Sequence, residues 1–199
     1  MISDSTRTIA AIIVVAMALA ATTPLFVGVK AEGMSLRARD IGPWWQENGR
    51  GSPDYSHVGN SSFFENLTFA EIAIMSNGTS IVTSSLFVFK SYETINNLFP
   101  DSFQNHWSFY PMAEKVDIGD QGYVYGYSAD IYYGVIINGQ EFHFNSSNIV
   151  SLVFVEDNVL SSITLSVKGV DTPAQPWIWD FILDLGMIQL QKIDRYSGN

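Results

Sequence analysis

The sequence predicts an α+β fold, in which an antiparallel β-sheet is covered by a C-terminal helix and a short helix. One N-terminal transmembrane or signal helix is expected to precede this domain. Three observations lead to this prediction. They are an uncharged apolar run at residues 9–29, two Asn-Gly pairs between strand-like segments, and apolar residues at helical spacing in residues 173–190.

The apolar run begins after Arg7 and ends before Lys30, and no charged residue lies between them. As a helix, residues 9–29 would measure about 31 Å at ~1.5 Å per residue. This length matches a hydrocarbon core of about 30 Å. Residues 1–31 are therefore interpreted as a signal anchor, or as a signal peptide cleaved after Ala31, where small residues occupy the positions that a signal peptidase reads.

The basic residues around this run give a conflicting indication of topology. Arg7 precedes it, whereas Lys30, Arg37 and Arg39 follow it, and the positive-inside rule alone would place the following domain in the cytoplasm. However, a lone N-terminal hydrophobic segment usually exports the chain that follows. We therefore expect a single-pass protein of the cell membrane with its C-terminal domain outside the cytoplasm, or a secreted protein if the segment is cleaved.

Four N-glycosylation sequons also favour export. In each, an asparagine is followed two residues later by Ser or Thr. The candidate glycosylation sites are Asn60, Asn66, Asn77 and Asn145. Asn77 falls at the tip of a predicted hairpin, where a glycan would be tolerated.

Glycine and proline punctuate residues 32–62, which show no apolar periodicity, so this region is predicted to be a flexible tether. Within it, Trp44 and Trp45 could lie at the membrane interface or cap the domain core. The extracytoplasmic α+β domain is assigned to residues 63–199. Its strands are predicted at 67–75, 80–90, 123–127, 130–137, 140–144, 148–156 and 159–168, and its helices at 91–99 and 173–190.

The composition excludes several classes of function. Asp and Glu total 20 against 10 Lys and Arg, a formal charge of −10, so the surface would repel nucleic acid. The absence of cysteine excludes disulfides, thiolate ligands and cysteine nucleophiles. His57, His106 and His143 lack the spacing of a zinc site, and neither Gly-x-Ser-x-Gly nor a glycine-rich phosphate loop occurs. We expect no catalytic residues, no metal and no cofactor.

An aromatic stripe is the candidate for a partner-binding surface. Tyr123, Tyr125 and Tyr127 alternate along a predicted strand and therefore share one face of the sheet. Such a stripe either packs beneath a helix or, where it is exposed, recognises a partner.

Three short motifs occur in a characteristic order along this predicted fold. They are the strand end Val88-Phe89-Lys90-Ser91-Tyr92-Glu93, the turn Ile118-Gly119-Asp120, and the segment Phe144-Asn145-Ser146-Ser147-Asn148-Ile149-Val150. Over residues 65–195 this order resembles the PsbP-like α/β sandwich family of small exported or membrane-anchored prokaryotic proteins, although Ser147-Asn148 stands where that family has Gly-Asn. The family has no common catalytic activity, so the resemblance implies a binding or assembly module.

Together these features favour a non-enzymatic, membrane-tethered extracytoplasmic module that is an accessory or interaction subunit of an envelope protein complex. Its expected partners are the membrane, through the N-terminal helix, and another envelope or membrane protein. One alternative is a small-ligand-binding or sensory domain with a pocket between the sheet and the terminal helix. A further alternative is a hydrolase with unconventional catalytic carboxylates.

Overall fold

The computed structural model describes residues 31–53, 66–93, 95, 113–168 and 175–197. The apolar run at 9–29 lies outside this part of the chain. The two helices are named α1 and α2 here, and the seven strands β1 to β7. In chain order they are α1 (Ala38–Ile41), β1 (Gln46–Gly51), β2 (Leu67–Ser76), β3 (Ser80–Phe89), β4 (Glu114–Val116), β5 (Gln121–Ile137), β6 (Gln140–Glu156), β7 (Val159–Val167) and α2 (Pro176–Ser197). Residues 31–34, 92, 93 and 95 are also helical.

All seven strands form one antiparallel sheet in the order β1-β2-β3-β7-β6-β5-β4. The predicted α+β class, with a sheet, a C-terminal helix and a short helix, is confirmed. The two predicted Asn-Gly turns, at Asn77 and Asn138, are hairpin turns, whereas a third Asn-Gly pair, Asn48-Gly49, lies within β1. At the β5–β6 turn, Asn138 and Gly139 have φ values of 51° and 77°, as a type I′ turn requires.

The β5–β6 hairpin is longer than the sequence suggested. The prediction divided each strand in two, whereas β5 and β6 are continuous over 17 residues each. A register shift between Ser128 and Ile131 replaces the expected break in β5. Such a bulge bends a strand without ending it, and polar residues alone do not distinguish it from a loop.

Helix α2 packs on one face of the sheet. On that face, alternate strand residues such as Leu86, Leu152 and Ile163 are fully buried. They pack against Ile178, Ile182, Leu185 and Ile193 of α2. A glycine in the middle of α2 allows this close approach, because a Cβ at Gly186 would lie 2.3 Å from Cδ2 of Leu152.

The opposite face of the sheet is covered by the far end of the β5–β6 hairpin. A small buried cluster joins Ile72 and Ile74 of β2 to Ile137, with Phe142 packed against it. The approach is close, since a Cβ at Gly49 of β1 would lie 2.5 Å from the Phe142 ring. The hairpin end therefore covers the β1–β2 part of the sheet face opposite α2.

Residues 32–53 belong to the folded domain, which differs from the flexible tether predicted at 32–62. β1 pairs with β2, and Met34 and Leu36 are buried in the α2-facing core. Of the two tryptophans, Trp45 stacks on Phe181 of α2 with ring centroids 6.0 Å apart, while Trp44 is 84% exposed. This folded segment lacks apolar periodicity in its sequence because it crosses the edge of the core irregularly. Its glycines permit the turns. Residues 54–62 of the predicted tether lie outside the described residues.

Two buried serines offer a stability test. Ser151 and Thr164 share a hydrogen bond of 3.0 Å on the hairpin-covered face, whereas Ser161 lies under α2 with no hydrogen-bond partner for Oγ among the described residues. Ser151→Ala should lower the free energy of unfolding by about 1 kcal/mol, because it leaves the Thr164 hydroxyl unpaired. Ser161→Ala removes an unpaired hydroxyl and should leave that free energy unchanged or raise it. Denaturant titration of both variants checks the difference, and a loss of more than about 1 kcal/mol in Ser161→Ala would contradict it.

Candidate functional site

A polar pocket of about 370 Å³ lies between the last turns of α2 and the segment that leads into α1. Gly33, Ile188 and Tyr196 contribute to its walls. Its charged and amide side chains are Arg37, Arg39, Asp40, Gln191, Lys192 and Arg195. We refer to this site as the cationic pocket.

The charge of the cationic pocket is opposite to that of the chain. It contains four of the ten Lys and Arg residues of the sequence and one carboxylate, so its formal charge is 4 − 1 = +3. The whole chain carries −10, which leaves −13 for all other residues. Positive charge is therefore concentrated at one place on an otherwise acidic protein, and such a site attracts anions.

A buried glutamine holds the two sides of the pocket together. Oε1 of Gln189 accepts hydrogen bonds from the Leu36 amide and the Ser84 hydroxyl, each 3.2 Å long. Its Nε2 donates to the carbonyl of Met34. Gln189 is fully buried, so these three bonds fix residues 34–36 on α2 and on strand β3.

An ion pair and a ring contact complete this frame. Nζ of Lys192 pairs with Oδ2 of Asp40, which also accepts a 2.8 Å hydrogen bond from the Arg37 amide. The Tyr196 ring lies directly on Gly33, where a Cβ would be 2.4 Å from the ring. Only glycine at position 33 permits this contact.

The two outer arginines of the pocket are not neutralised. Arg39 and Arg195 are exposed, and neither forms an ion pair within the described residues. Lys192 is matched by Asp40, so the pocket offers unpaired guanidinium groups. Guanidinium binds carboxylate and phosphate oxygens through paired hydrogen bonds.

A second ionic group lies on the neighbouring strand β1. Arg50 binds Glu71 at 2.6 Å and Glu47 at 2.7 Å, and also donates to the carbonyl of Leu36. The hydrogen bond from Arg50 holds the pKa of Glu47 below its ordinary value. Arg50 and the Glu71 side chain are largely buried, so this group links β1, β2 and the segment at Leu36.

The predicted tyrosine stripe is not an open surface. Tyr125 is 2% exposed, on the sheet face opposite α2, and Tyr123 is half-buried. The side chain of Tyr127 lies outside the described residues. Tyr125 is therefore not accessible to a partner, whereas partner binding by Tyr123 and Tyr127 stays a prediction.

The candidate glycosylation sites occupy different environments. Asn77 is exposed at the β2–β3 turn, where its Oδ1 accepts hydrogen bonds from the amides of Thr79 and Ser80. Asn66 is half-buried just before β2. Asn145 lies in β6, but its side chain, like all of Asn60, lies outside the described residues. Glycosylation stays a prediction.

The other candidates for chemistry are scattered. His143 is exposed on β6, 3.3 Å from Glu141, whereas His57 and His106 lie outside the described residues. Asp120 accepts a 3.0 Å hydrogen bond from the Asp157 amide in the β6–β7 turn. Within the described ranges, no group of three or more His, Asp or Glu side chains is placed to hold a metal ion.

An acidic group beside the end of α2 gives a pH-dependent prediction. Desolvation and the charges of Asp120, Asp194 and Asp157 raise the pKa of Glu156 above its ordinary 4.5. A raised carboxyl pKa contributes stability at low pH that is lost as pH rises through the folded-state value. Glu156→Gln should therefore raise the free energy of unfolding at pH 7 by a few tenths of a kcal/mol, a small gain because the group is partly exposed.

Unfolding temperatures at pH 4 and pH 7 measure this effect. The gain from Glu156→Gln should be smaller at pH 4 than at pH 7. Glu114→Gln, at an exposed position on β4, is the control and should show no such difference. A variant of Glu156 that is less stable than the native chain at pH 7 would contradict the prediction.

No protein-family model matches this chain, and neither does any curated protein. Among solved structures, it is similar to the crystal structure of the extracellular domain of PknH from Mycobacterium tuberculosis. That match has a TM-score of 0.47 and 9% sequence identity, and it covers 86% of this chain and 96% of the other. A likeness at this level is too low to transfer a function. In the described residues, no helix has both the length and the apolar character needed to cross a bilayer.

Proposed function

We propose that this chain is a non-enzymatic, membrane-tethered extracytoplasmic module, an accessory or interaction subunit of an envelope protein complex. The observation that carries the proposal is the position in the chain at which the folded domain begins. The uncharged run ends at Val29, and Ala31 is already buried in the core at 1% exposure. A domain joined so directly to a bilayer-length segment would stand at the membrane surface.

The PsbP-like resemblance supports the same proposal. Phe89 ends β3, and Ile118-Gly119-Asp120 forms the turn before β5. Asn148 differs, because it lies within the long strand β6 and does not begin a strand. A family without a common catalytic activity fits an assembly role better than an enzymatic one.

The cellular location of the domain is tested by protease accessibility of the full chain in sealed, right-side-out cells. We expect the domain to be digested from outside and the protein to resist alkaline extraction from membranes. The double substitution Ile13→Asp/Leu19→Asp should release it from the membrane fraction, because a charge at the centre of a span costs about 2.5–3.5 kcal/mol. Gln140→Asp, at an exposed position of the domain, is the control. A domain protected in sealed cells would contradict export.

The role in a complex needs a separate test. Purification of the full chain in mild detergent should retain a second membrane or envelope protein in fixed proportion. Isolation of the chain alone, as a single homogeneous species, would argue against an accessory subunit.

A second candidate function is ligand binding, and the cationic pocket is the observation that favours it. The pocket lies between α2 and the α1 segment, not between α2 and the sheet as the sequence suggested. Its charge restricts the ligand to an anion.

A further inference from the structure

We propose that the cationic pocket binds the phosphate of an anionic phospholipid headgroup in the bilayer to which the chain is tethered. The proposal rests on the proposed membrane attachment. It assigns a specific ligand class to the pocket and a specific face of the domain to the membrane.

The first step is chemical complementarity. Arg39 and Arg195 are exposed and have no ion pair within the described residues, while Arg37 lines the same pocket. Phosphodiester oxygens accept the paired hydrogen bonds that guanidinium groups donate. Lys192 is already matched by Asp40, so the arginines supply the net attraction.

The second step is the distance between the pocket and the bilayer. Gly33, in the wall of the pocket, is the fourth residue after Val29, where the apolar run ends. Four residues span at most about 14 Å even when fully extended. The headgroup layer itself extends roughly 5–8 Å beyond the hydrocarbon core. If residues 9–29 span the bilayer, the pocket therefore lies within or directly above the headgroups.

The third step is orientation. All residues outside the pocket carry a formal charge of −13, because the chain has −10 and the pocket has +3. An anionic bilayer surface would repel most of the domain and attract this one site. The pocket is thus the part of the protein that the bilayer charge would turn toward itself.

The fourth step is preorganisation. Gln189, the Lys192–Asp40 pair and the Tyr196–Gly33 contact already fix the two walls relative to each other. A ligand that enters a fixed pocket loses less free energy in ordering it. In this fixed geometry, the pocket differs from a set of surface arginines whose positions are not held by other contacts.

The experiment uses a label because the chain has no cysteine. Gln191→Cys places a single environment-sensitive fluorophore at the exposed rim of the pocket. Gln140→Cys places the same label at the β5–β6 turn, on the other side of the sheet. The full chain, in neutral detergent, is titrated separately with short-chain phosphatidylglycerol, short-chain phosphatidylcholine, inorganic phosphate and a short acidic peptide.

We expect the label at residue 191 to respond to phosphatidylglycerol at far lower concentration than to phosphatidylcholine or inorganic phosphate. The label at residue 140 should not respond. The double variant Arg39→Gln/Arg195→Gln should bind phosphatidylglycerol about thirty-fold more weakly, since each cation at an anionic lipid surface contributes about five-fold. Lys115→Gln/Lys168→Gln removes the same charge from exposed positions elsewhere and should leave the affinity unchanged.

Three results would overturn the proposal. Equal responses to the two lipids would show that the pocket does not distinguish lipids by the charge of the headgroup. An equal response to inorganic phosphate would make it a free-anion site, and tighter binding of an acidic peptide would make it a protein-docking site. Failure here is distinguishable from failure of the membrane assignment, because protease accessibility and alkaline extraction do not depend on the pocket arginines.

Discussion

Replacing Gln189 with alanine should lower the free energy of unfolding by about 3–4 kcal/mol. The substitution leaves the Leu36 amide, the Met34 carbonyl and the Ser84 hydroxyl without their partner, and it opens a cavity in the core. Buried polar groups left unpaired cost about 1–3 kcal/mol each before relaxation, and the cavity adds to this loss. Denaturant titration of the full chain in a neutral detergent measures the effect.

Two variants separate the causes. Gln189→Leu keeps the volume and loses the hydrogen bonds, so it should retain most of the loss in stability. Gln191→Ala changes an exposed glutamine two residues away and should stay within about 0.5 kcal/mol of the native chain. If Gln189→Ala and Gln191→Ala were equally stable, the buried amide would not be what holds residues 34–36 on α2.

Arg50→Ala should cost about 3 kcal/mol for a different reason. Its loss leaves the Glu71 carboxylate, with 7% of its side chain exposed, buried without a counter-charge. Breaking a buried ion pair from one side is strongly destabilising because the remaining ion stays desolvated. Arg39→Ala, at an exposed arginine with no ion pair in the described residues, is the matched control and should change stability by less than about 0.5 kcal/mol.

The double variant Arg50→Met/Glu71→Leu makes this prediction specific. Removing both charges eliminates the buried unpaired ion, so much of the stability lost in Arg50→Ala should return. Unfolding midpoints of the two variants, compared at the same pH, check it. A double variant less stable than the single one would mean that Arg50 acts mainly through Leu36 and Glu47.

The elements that the sequence predicted well are those with strong local signals. The Asn-Gly pairs at Asn77 and Asn138 mark real turns, and the apolar spacing of Ile178, Ile182 and Leu185 marks a real helix face. β1 could not be predicted in this way. Its residues, Gln-Glu-Asn-Gly-Arg-Gly, favour turns over strands, and it is a strand because its backbone pairs with β2 at the sheet edge.

The cationic pocket could not be predicted from the sequence for a similar reason. Arg37 and Arg39 were recognised only as charges that follow an apolar run. Lys192 and Arg195 stand about 150 residues later in the sequence. The Gln189 hydrogen bonds, the Lys192–Asp40 ion pair and the Tyr196–Gly33 contact bring the two pairs together. The available signal was compositional, because a chain with 10 basic residues has two of them closely spaced near each end of the domain.

The bond between Gln189 and Leu36 joins residues separated by 153 positions. Because Gln189 is synthesised long after Leu36, this separation fixes an order of events during synthesis. Residues 31–36 emerge among the first of the domain, yet the Leu36 amide and the Met34 carbonyl find their partner only when the last helix has been made. Until then the buried side chains of this stretch lack the α2 part of their cover, so a ribosome that stalls before residue 189 leaves an apolar strip uncovered. Quality control of this protein would therefore act on the beginning of the domain, while the defect lies at its end.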